Sequence, residues 1–164
     1  MATVYLGLGS NLGDRLALLR AAVAELGALG RVDATSSVYE TEPWGDPDQP
    51  AYLNACCRLE TALPPPALHA AVKAIEQKLG RRPSSRRWGP RPIDIDLLVY
   101  EDVVVETPEL QVPHPRLAER AFVLVPLAEL APELKVPGLA GSVAEQLARL
   151  GNVDPLVRPF DRRL

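Results

Sequence analysis

The 164-residue sequence has only two cysteines, two histidines and no long hydrophobic run. The cysteines, Cys56 and Cys57, are adjacent, so neither has a partner for an unstrained disulfide. The histidines, His69 and His114, lie in other segments, and no zinc-ligand spacing is present. We therefore expect the cysteines to be small, reduced residues in or near the core.

The N-terminus lacks a basic region followed by an apolar stretch, and no segment approaches membrane-spanning length. These absences lead us to expect a cytoplasmic protein with no membrane partner. The formal net charge of −3 argues against a nucleic-acid partner, because general nucleic-acid binders carry a basic footprint. An anionic ligand would have to be met by a local cluster of basic residues.

The apolar pattern that is present predicts strand, helix, strand, strand, helix and strand, at residues 3–8, 14–26, 32–41, 52–61, 64–79 and 93–100. This order is typical of an α+β, ferredoxin-like (split βαβ) core of pattern βαββαβ. Such a core has a four-stranded antiparallel sheet with helices on one face. A C-terminal extension is predicted to add a strand at 103–105, a helical turn at 114–120, an apolar segment at 122–130 and a helix at 142–150. Residues 1–164 are expected to form a single domain.

Two acidic residues interrupt the last predicted strand. Because strand side chains alternate, Asp94 and Asp96 share one face, with Cα atoms roughly 6.5 to 7 Å apart. The other face is predicted to carry Ile93, Ile95, Leu97 and Val99. Two neighbouring carboxylates are costly to bury without a partner, and a divalent cation removes much of that cost. The alternative is that both acids lie on the solvent face of an amphipathic edge strand.

Basic residues cluster just before this strand, at Arg81, Arg82, Arg86, Arg87 and Arg91. Arginine forks match phosphate oxygens, and Mg²⁺ prefers few carboxylates together with water and substrate phosphates. The combination of basic loop and acidic pair predicts a magnesium–phosphate site of the kind used in phosphoryl transfer.

A second cluster of candidate ligand-binding residues follows the proline-rich segment 42–50, which contains Trp44. Tyr52 and Asn54 share a face at the start of a predicted strand, a pairing suited to a flat heteroaromatic ligand. The alternative is ordinary partial burial with a hydrogen-bonded amide. In the first strand, Gly7 and Gly9 are predicted to allow close approach of a neighbouring backbone or a ligand. In the second helix, Lys73 and Glu76 are predicted to lie away from the apolar stripe.

The stretch Arg87-x-Gly89-Pro90-Arg91-x-x-Asp94-Ile95-Asp96-Leu97-Leu98 resembles the signature of the 6-hydroxymethyl-7,8-dihydropterin pyrophosphokinase family of folate biosynthesis. Three further stretches agree in order and spacing, at residues 6–14, 41–55 and 112–122. The resemblance implies that pyrophosphate is transferred from ATP to the hydroxymethyl group of the reduced pterin, giving AMP and the pterin diphosphate. It also implies that ATP is the co-substrate and that two Mg²⁺ are bound by Asp94 and Asp96.

The resemblance assigns roles to individual residues. Catalytic roles fall on Arg81, Arg91, Asp94 and Asp96. Contacts to the pterin fall on Thr41, Pro43, Trp44, Tyr52, Asn54 and Phe122. Contacts to ATP fall on Glu76, Trp88, Arg91, Leu97, His114 and Arg120. Taken singly, many of these would be capping, core or solvated residues, and only their joint placement around the signature favours the functional interpretation.

The sequence departs from the family pattern at a few positions. Pro83 stands where some relatives have another loop arginine, and Glu109 and Gln111 replace residues that can be basic or hydroxylated. Two other functions remain open. A nucleotidyl or nucleic-acid phosphotransferase would release pyrophosphate or hydrolyse nucleic acid, whereas a non-catalytic ferredoxin-like module would bind nucleotide or pterin without turnover.

Overall fold

The computed structural model describes residues 1–42, 48–81 and 90–164. The strands in these ranges are β1 (Ala2–Ser10), β2 (Arg31–Thr35), β3 (Tyr39–Thr41), β4 (Tyr52–Thr61), β5 (Asp94–Tyr100), β6 (Val105–Glu106), β7 (Gln111–Val112) and β8 (Val157–Pro159). The helices are α1 (Arg15–Leu26), α2 (Pro65–Lys78), α3 (Ala121–Leu130) and α4 (Val143–Arg149), with a 3₁₀ turn at Leu117–Glu119. Among these helices, none is both long and apolar enough to cross a membrane.

The main sheet has the strand order β5-β1-β4-β3-β8, and β2 pairs with β4 beside β3. All of its pairings are antiparallel. When β2 and β3 are counted together as one strand, the order of this strand, β4, β1 and β5 confirms the predicted ferredoxin-like core. Strand β8 adds a further strand at the edge of the sheet, next to β3. The prediction of one continuous strand over 32–41 is wrong, because the segment divides into β2 and β3. At the break, the hydroxyl oxygen of Ser36 accepts a hydrogen bond from Cys56 N (2.9 Å).

One face of the sheet packs against α1 and α2, as predicted. Asp14 caps α1 by accepting from Ala17 N at 3.2 Å, and the helix buries Leu19 and Leu26 against the sheet. Helix α2 begins at Pro65 and buries Leu68, Val72, Ile75 and Glu76. Both cysteines are buried and unbridged, which confirms their expected place in the core.

Helices also cover the opposite face of the sheet, so the prediction that helices lie on one face only is wrong. Helices α3 and α4 cover it, and Leu124 and Leu127 pack there with Tyr5, Cys56 and Leu98. Helix α3 is apolar at most positions, so its sequence pattern gives no indication of which face it buries. Val99 also lies in this second core, contrary to its predicted face. The pairing of β1 with β5 shifts between Tyr5 and Leu6, and this irregularity puts the consecutive residues Leu98 and Val99 on the same face.

The C-terminal extension completes the fold. The strand expected at 103–105 is observed one or two residues later, as β6 paired with β7. Helix α4 has a reciprocal capping box between Ser142 and Glu145. Strand β8 pairs with β3, and Phe160 N donates to Val38 O at 2.9 Å just beyond it. Residues 157–160 therefore hydrogen-bond along the strand that ends at Thr41 and the residue before it.

Candidate active site

A cleft of about 250 Å³ opens between the sheet and the start of α3. It brings together most of the residues predicted for the site, namely Thr41, Tyr52, Asn54, Arg81, Arg91, Asp94, Asp96, His114, Arg120 and Phe122. Pro43, Trp44 and Trp88 lie outside the described residues. The acidic pair therefore faces a cavity shared with the Tyr52–Asn54 pair, although β5 is an edge strand of the sheet.

The two carboxylates have different surroundings. Asp94 Oδ1 accepts from Arg81 Nη1 at 2.7 Å, with Arg91 Nη1 at 3.9 Å. Burial raises the pKa of Asp96 to about 7, and the charges of Asp94 and Glu76 add to the increase. Lys73 and Arg120 act in the opposite direction. A cation bound at Asp96 would therefore offset an unfavourable negative charge.

Glu76 lies beneath the cleft rather than on a solvated face of α2, and its side chain is only 2% exposed. One carboxylate oxygen, Oε2, accepts from Arg81 Nη1 at 2.9 Å and from Ile95 N at 2.7 Å. The other, Oε1, accepts from Lys73 Nζ at 3.0 Å. Strand β5 is at the edge of the sheet and has a neighbouring strand on one side only. The N–H of Ile95 therefore needs an acceptor outside the sheet, and the Glu76 carboxylate is that acceptor. Glu76 thus fixes the backbone between Asp94 and Asp96.

Arg81 reaches the cleft because the chain turns sharply after α2. Gly80 has φ +108°, a conformation that favours glycine, and Arg81 N donates to Glu76 O at 3.0 Å. The guanidinium then lies between the carboxylates of Glu76 and Asp94. Burial works against its charge, but those two carboxylates outweigh burial and raise the pKa of Arg81.

The other end of the cleft has the chemistry of a ring-binding site. Asn54 Nδ2 donates to Thr41 Oγ1 at 2.6 Å, which fixes the orientation of the amide. Burial, helped by the charge of Asp94, raises the pKa of Tyr52 to about 12, so the phenol stays neutral. Phe122 lines the same cleft, and the guanidinium carbon of Arg120 lies 5.5 Å from its ring centroid.

His114 lines both the cleft and a second cavity of about 340 Å³. Lys73, Asp96 and His114 line both cavities, whereas Leu97 lines only the second, together with Leu110 and Pro115. Burial, with the positive charge of Arg120, lowers the pKa of His114 to about 4, so the imidazole is neutral near pH 7. Its Nδ1 accepts from Arg116 N at 3.2 Å, which leaves the proton on Nε2.

The structure also adds residues that the sequence prediction missed. Lys73 was expected away from the apolar stripe, yet it lines both cavities and contacts Glu76. Its spacing from Glu76, three positions along α2, is the signal that could have paired them. Cys56, Val123 and Pro126 form apolar parts of the cleft wall.

Gly9 makes room for Asn54, so the predicted close approach at this position is real, but it involves a side chain rather than a backbone or ligand. A Cβ atom at Gly9 would lie 2.8 Å from Asn54 Oδ1, whereas a Cβ at Gly7 would meet only Leu98 at an ordinary 3.4 Å.

We therefore expect Gly9→Ala to displace the Asn54 amide and raise the KM of the ring substrate about tenfold or more, which is ~1.4 kcal/mol. Steady-state kinetics on the matched Gly7→Ala variant should show a much smaller change. Equal effects of the two substitutions would contradict this role of Gly9.

The side chains of the cleft suit a cation that is coordinated by protein carboxylates and by oxygens of a bound ligand. Within residues 1–42, 48–81 and 90–164, no group of three or more His, Cys, Asp or Glu side chains could hold a metal ion. Asp94 and Asp96 nonetheless offer two carboxylates in a cleft, with arginines beside them. That set suits Mg²⁺, which is commonly held by one or two carboxylates together with water and phosphate oxygens.

Together, the ferredoxin-like sheet and a cleft of paired carboxylates beside arginines define a protein of the phosphoryl-transfer class. Comparison with known proteins makes the assignment specific. A family model described as 7,8-dihydro-6-hydroxymethylpterin-pyrophosphokinase (HPPK) matches residues 5–132. The chain therefore belongs to the HPPK family.

Similar proteins from several bacteria carry the name 2-amino-4-hydroxy-6-hydroxymethyldihydropteridine pyrophosphokinase. That of Methylorubrum extorquens is 51% identical over 152 residues, which are 92% of this chain and 94% of the relative. That of Aquifex aeolicus is 43% identical over 137 residues, which are 84% and 85% of the two chains. The crystal structure of a Plasmodium falciparum HPPK-DHPS triple mutant matches the fold with a TM-score of 0.77 at 15% identity. That match covers 96% of this chain and 46% of the longer one.

Proposed function

We infer that this chain, as one domain over residues 1–164, transfers pyrophosphate from ATP to 6-hydroxymethyl-7,8-dihydropterin, forming AMP and the pterin diphosphate. The observation that carries this inference is the position of Asp96 where two cavities meet. One cavity has the side chains of a ring-binding site, and the other is an open recess with a mostly polar lining that also includes Leu97, Leu110 and Pro115. The name shared by the most similar relatives supports the choice of substrates.

The ring end of the cleft matches the chemistry of a pterin. A pterin is planar and has an amide-like edge, so it needs flat apolar surfaces and a fixed hydrogen-bonding partner. Tyr52 and Phe122 supply aromatic surface, and the Asn54 amide is fixed by Thr41. Pro43 and Trp44 remain predicted pterin contacts.

The recess beside Leu97 suits the nucleotide. Leu97, Leu110 and Pro115 supply apolar surface for a base, and the neutral His114 offers a donor at Nε2. The phosphates would then extend past Lys73 and Asp96 towards Arg81, Arg91 and Arg120 in the adjoining cleft. Glu76 acts through Arg81 and the Ile95 amide, and Trp88 remains a predicted ATP contact.

Two Mg²⁺ ions are proposed to be held by Asp94 and Asp96. Bound there, the ions would neutralise phosphate oxygens and help to align the triphosphate for displacement. The raised pKa of Asp96 supports this role, because a nearby divalent cation favours the ionised carboxylate. Arg81 now holds Asp94 at 2.7 Å, and its guanidinium would turn towards the phosphates when a metal takes its place.

Catalysis by this site rests on positioning and charge. The hydroxymethyl oxygen forms a bond to the β-phosphorus, the bond from that phosphorus to the oxygen shared with the α-phosphate breaks, and the hydroxyl proton is lost to solvent. Tyr52, Asn54 and Phe122 would hold the acceptor, while the arginines bind the departing AMP. Fixing both reactants in line removes much of the entropic barrier, and cationic groups stabilise the charge of the transferred phosphates.

The experiment that tests this function is an analysis of nucleotide products. We expect ATP to be converted to AMP only when Mg²⁺ and the dihydropterin alcohol are both present, with equimolar pterin diphosphate formed. Chromatography of the nucleotides together with ³¹P NMR would measure both products. Formation of ADP, or AMP formation without pterin, would contradict the proposal. Release of free pyrophosphate would favour nucleotidyl transfer, and binding without turnover would favour a non-catalytic module.

A further inference from the structure

The ring end of the cleft has two walls that come from different layers of the fold. Thr41, Tyr52 and Asn54 belong to strands of the main sheet. Phe122 and Pro126 belong to α3, in the layer that covers the sheet. A flat ring bound between the walls is sensitive to their separation, because a gap of about 0.5 to 1 Å forfeits roughly a quarter to a half of the dispersion attraction.

The apolar contacts of α3 stabilise its packing on the sheet but constrain its position only loosely. Leu124 and Leu127 hold the helix there as members of the second core. The hydrophobic effect that drives this packing is non-directional. Hydrogen bonds require a defined distance and angle, so a polar contact between α3 and the sheet would constrain their relative position more closely.

Glu129, near the end of α3, makes such a contact. Its Oε1 accepts from Tyr39 OH at 2.8 Å and from Ser37 N at 3.0 Å. Its Oε2 accepts from Ser37 N at 2.9 Å and from Ser37 Oγ at 3.1 Å. Arg163 reinforces the contact, because its Nη1 donates to Ser37 Oγ at 2.8 Å and its Nη2 lies 3.9 Å from Glu129 Oε2. One carboxylate thus ties α3 to the first residue of β3 and to the segment just before it.

Both sides of this contact continue into the walls of the cleft. Glu129 lies seven positions beyond Phe122, a spacing that places the two residues on one face of α3. Tyr39 and Thr41 are two positions apart in β3 and therefore share one face of the sheet. The carboxylate contact consequently fixes the element that carries Phe122 relative to the strand that carries Thr41.

The Tyr39 hydroxyl remains a donor to Glu129 near neutral pH. Burial, together with the hydrogen bond to Glu129, raises the pKa of Tyr39 to about 12. The phenol therefore keeps its proton, and this part of the contact persists throughout the neutral range.

We propose that Glu129 is a positioning residue that sets the width of the ring end of the cleft by fixing α3 to β3. The proposal rests on the proposed function, because the ring concerned is the pterin of that reaction. Glu129 does not line the cleft, and its effect is carried by Phe122 on one wall and Thr41 on the other. The recess beside Leu97 is lined by residues of α2, β5 and the segment 108–115, with none from α3, so nucleotide binding should not depend on Glu129.

The test compares the binding of the two substrates in substituted proteins. The Kd of the dihydropterin alcohol is measured from its fluorescence at one saturating concentration of Mg²⁺ and a non-hydrolysable ATP analogue, and the Kd of the analogue is measured by calorimetry. Glu129→Leu removes every acceptor that Ser37 and Tyr39 use. We expect it to raise the Kd of the pterin about fivefold to tenfold and to leave the Kd of the analogue unchanged. Glu129→Gln keeps an oxygen for Ser37 N and Tyr39 OH, and it should restore most of the pterin affinity.

Two further variants make the test specific. Tyr39→Phe removes only the bond to β3 and keeps the ring, so it should raise the Kd of the pterin by a smaller factor, about two- to threefold, and it serves should Glu129→Leu fail to fold. Glu145→Ala is the control, because it removes the capping carboxylate of α4 in the same helical layer without touching the cleft. We expect this control to lower stability and to bind the pterin as the unaltered protein does.

The proposal is overturned by an unchanged pterin Kd in folded Glu129→Leu or in Tyr39→Phe, by an equal rise in the Kd of the analogue, or by an equal loss of pterin affinity in Glu145→Ala. The unaltered protein separates this proposal from the proposed function. Failure of that protein to bind the pterin or to form AMP would count against the function, on which the proposal rests. Normal AMP formation together with an unchanged pterin Kd in Glu129→Leu would count against the role of Glu129 alone.

Discussion

Replacing Asp96 by asparagine is expected to lower the rate of AMP formation by about 10³-fold or more. The substitution preserves shape but removes one of the two charges proposed to hold the metal that neutralises the phosphates, and such electrostatic contributions have about this size. The rate would be measured at saturating ATP, pterin and Mg²⁺. The exposed Asp102, in the turn after β5, provides a matched acid-to-amide control, and Asp102→Asn should retain normal activity. A comparable loss in both variants would contradict the specific role of Asp96.

The same substitution should stabilise the metal-free protein. The pKa of Asp96 is raised from 3.8 to about 7 in the folded state, so the folded protein retains a proton that the unfolded chain has lost. The raised pKa therefore lowers the free energy of unfolding progressively as the pH rises from about 4 to about 7. Below about pH 4, Asp96 is protonated in both states and this destabilisation is absent. Because the group is partly accessible, we expect Asp96→Asn to gain about 1 to 3 kcal/mol at pH 7. Urea unfolding in EDTA should show a gain that grows across this range, and a gain independent of pH would contradict the assignment.

Replacing Arg81 by methionine is expected to lower both activity and stability. The guanidinium contacts Asp94 and the buried Glu76 within 2.9 Å, so its removal weakens the pairing of a buried carboxylate, at a cost of about 2 to 3 kcal/mol. It also removes a cation proposed to bind the phosphates, and we expect the rate of AMP formation to fall about 10² to 10³-fold. Denaturant unfolding and steady-state kinetics would measure the two effects separately. Arg81→Lys, which keeps the charge but loses the fork, should be intermediate in both.

A second substitution distinguishes the structural role of Arg81 from its chemical role. Glu76→Gln removes the buried charge while keeping an oxygen that can accept from Ile95 N. If Arg81 binds phosphate, the Arg81→Met/Glu76→Gln double variant should regain most of the lost stability but little of the lost activity. Recovery of activity along with stability would show that Arg81 acts only by neutralising Glu76.

The parts of the site that could be predicted from the sequence are those encoded by local alternation. Strand β4 was predicted at its observed bounds, Tyr52–Thr61, because apolar residues alternate with Tyr52 and Asn54 along it. Alternation also placed Asp94 and Asp96 on one face, and the structure shows both lining the cleft. The family signature then added His114, Arg120 and Phe122, none of which has a local pattern that points to a ligand.

The parts that could not be predicted depend on contacts between distant segments. Glu76 is buried because the Ile95 amide of an edge strand and the Arg81 guanidinium need an acceptor, and neither requirement is visible in the sequence of α2. The buried side chain of Asn11 donates to Pro50 O and accepts from Arg91 N, and these two positions come close together only in the tertiary fold. The second helical layer was missed for a different reason, since α3 is too uniformly apolar to reveal a buried face.

The most direct test of the paired-carboxylate site is anomalous X-ray diffraction from crystals grown with Mn²⁺, a non-hydrolysable ATP analogue and the pterin. We predict metal peaks within coordination distance of both Asp94 and Asp96, bridging phosphate oxygens, with the pterin ring beside Tyr52, Asn54 and Phe122. Metal bound elsewhere, with Asp94 still paired to Arg81 and the phosphates distant from Asp96, would contradict the site.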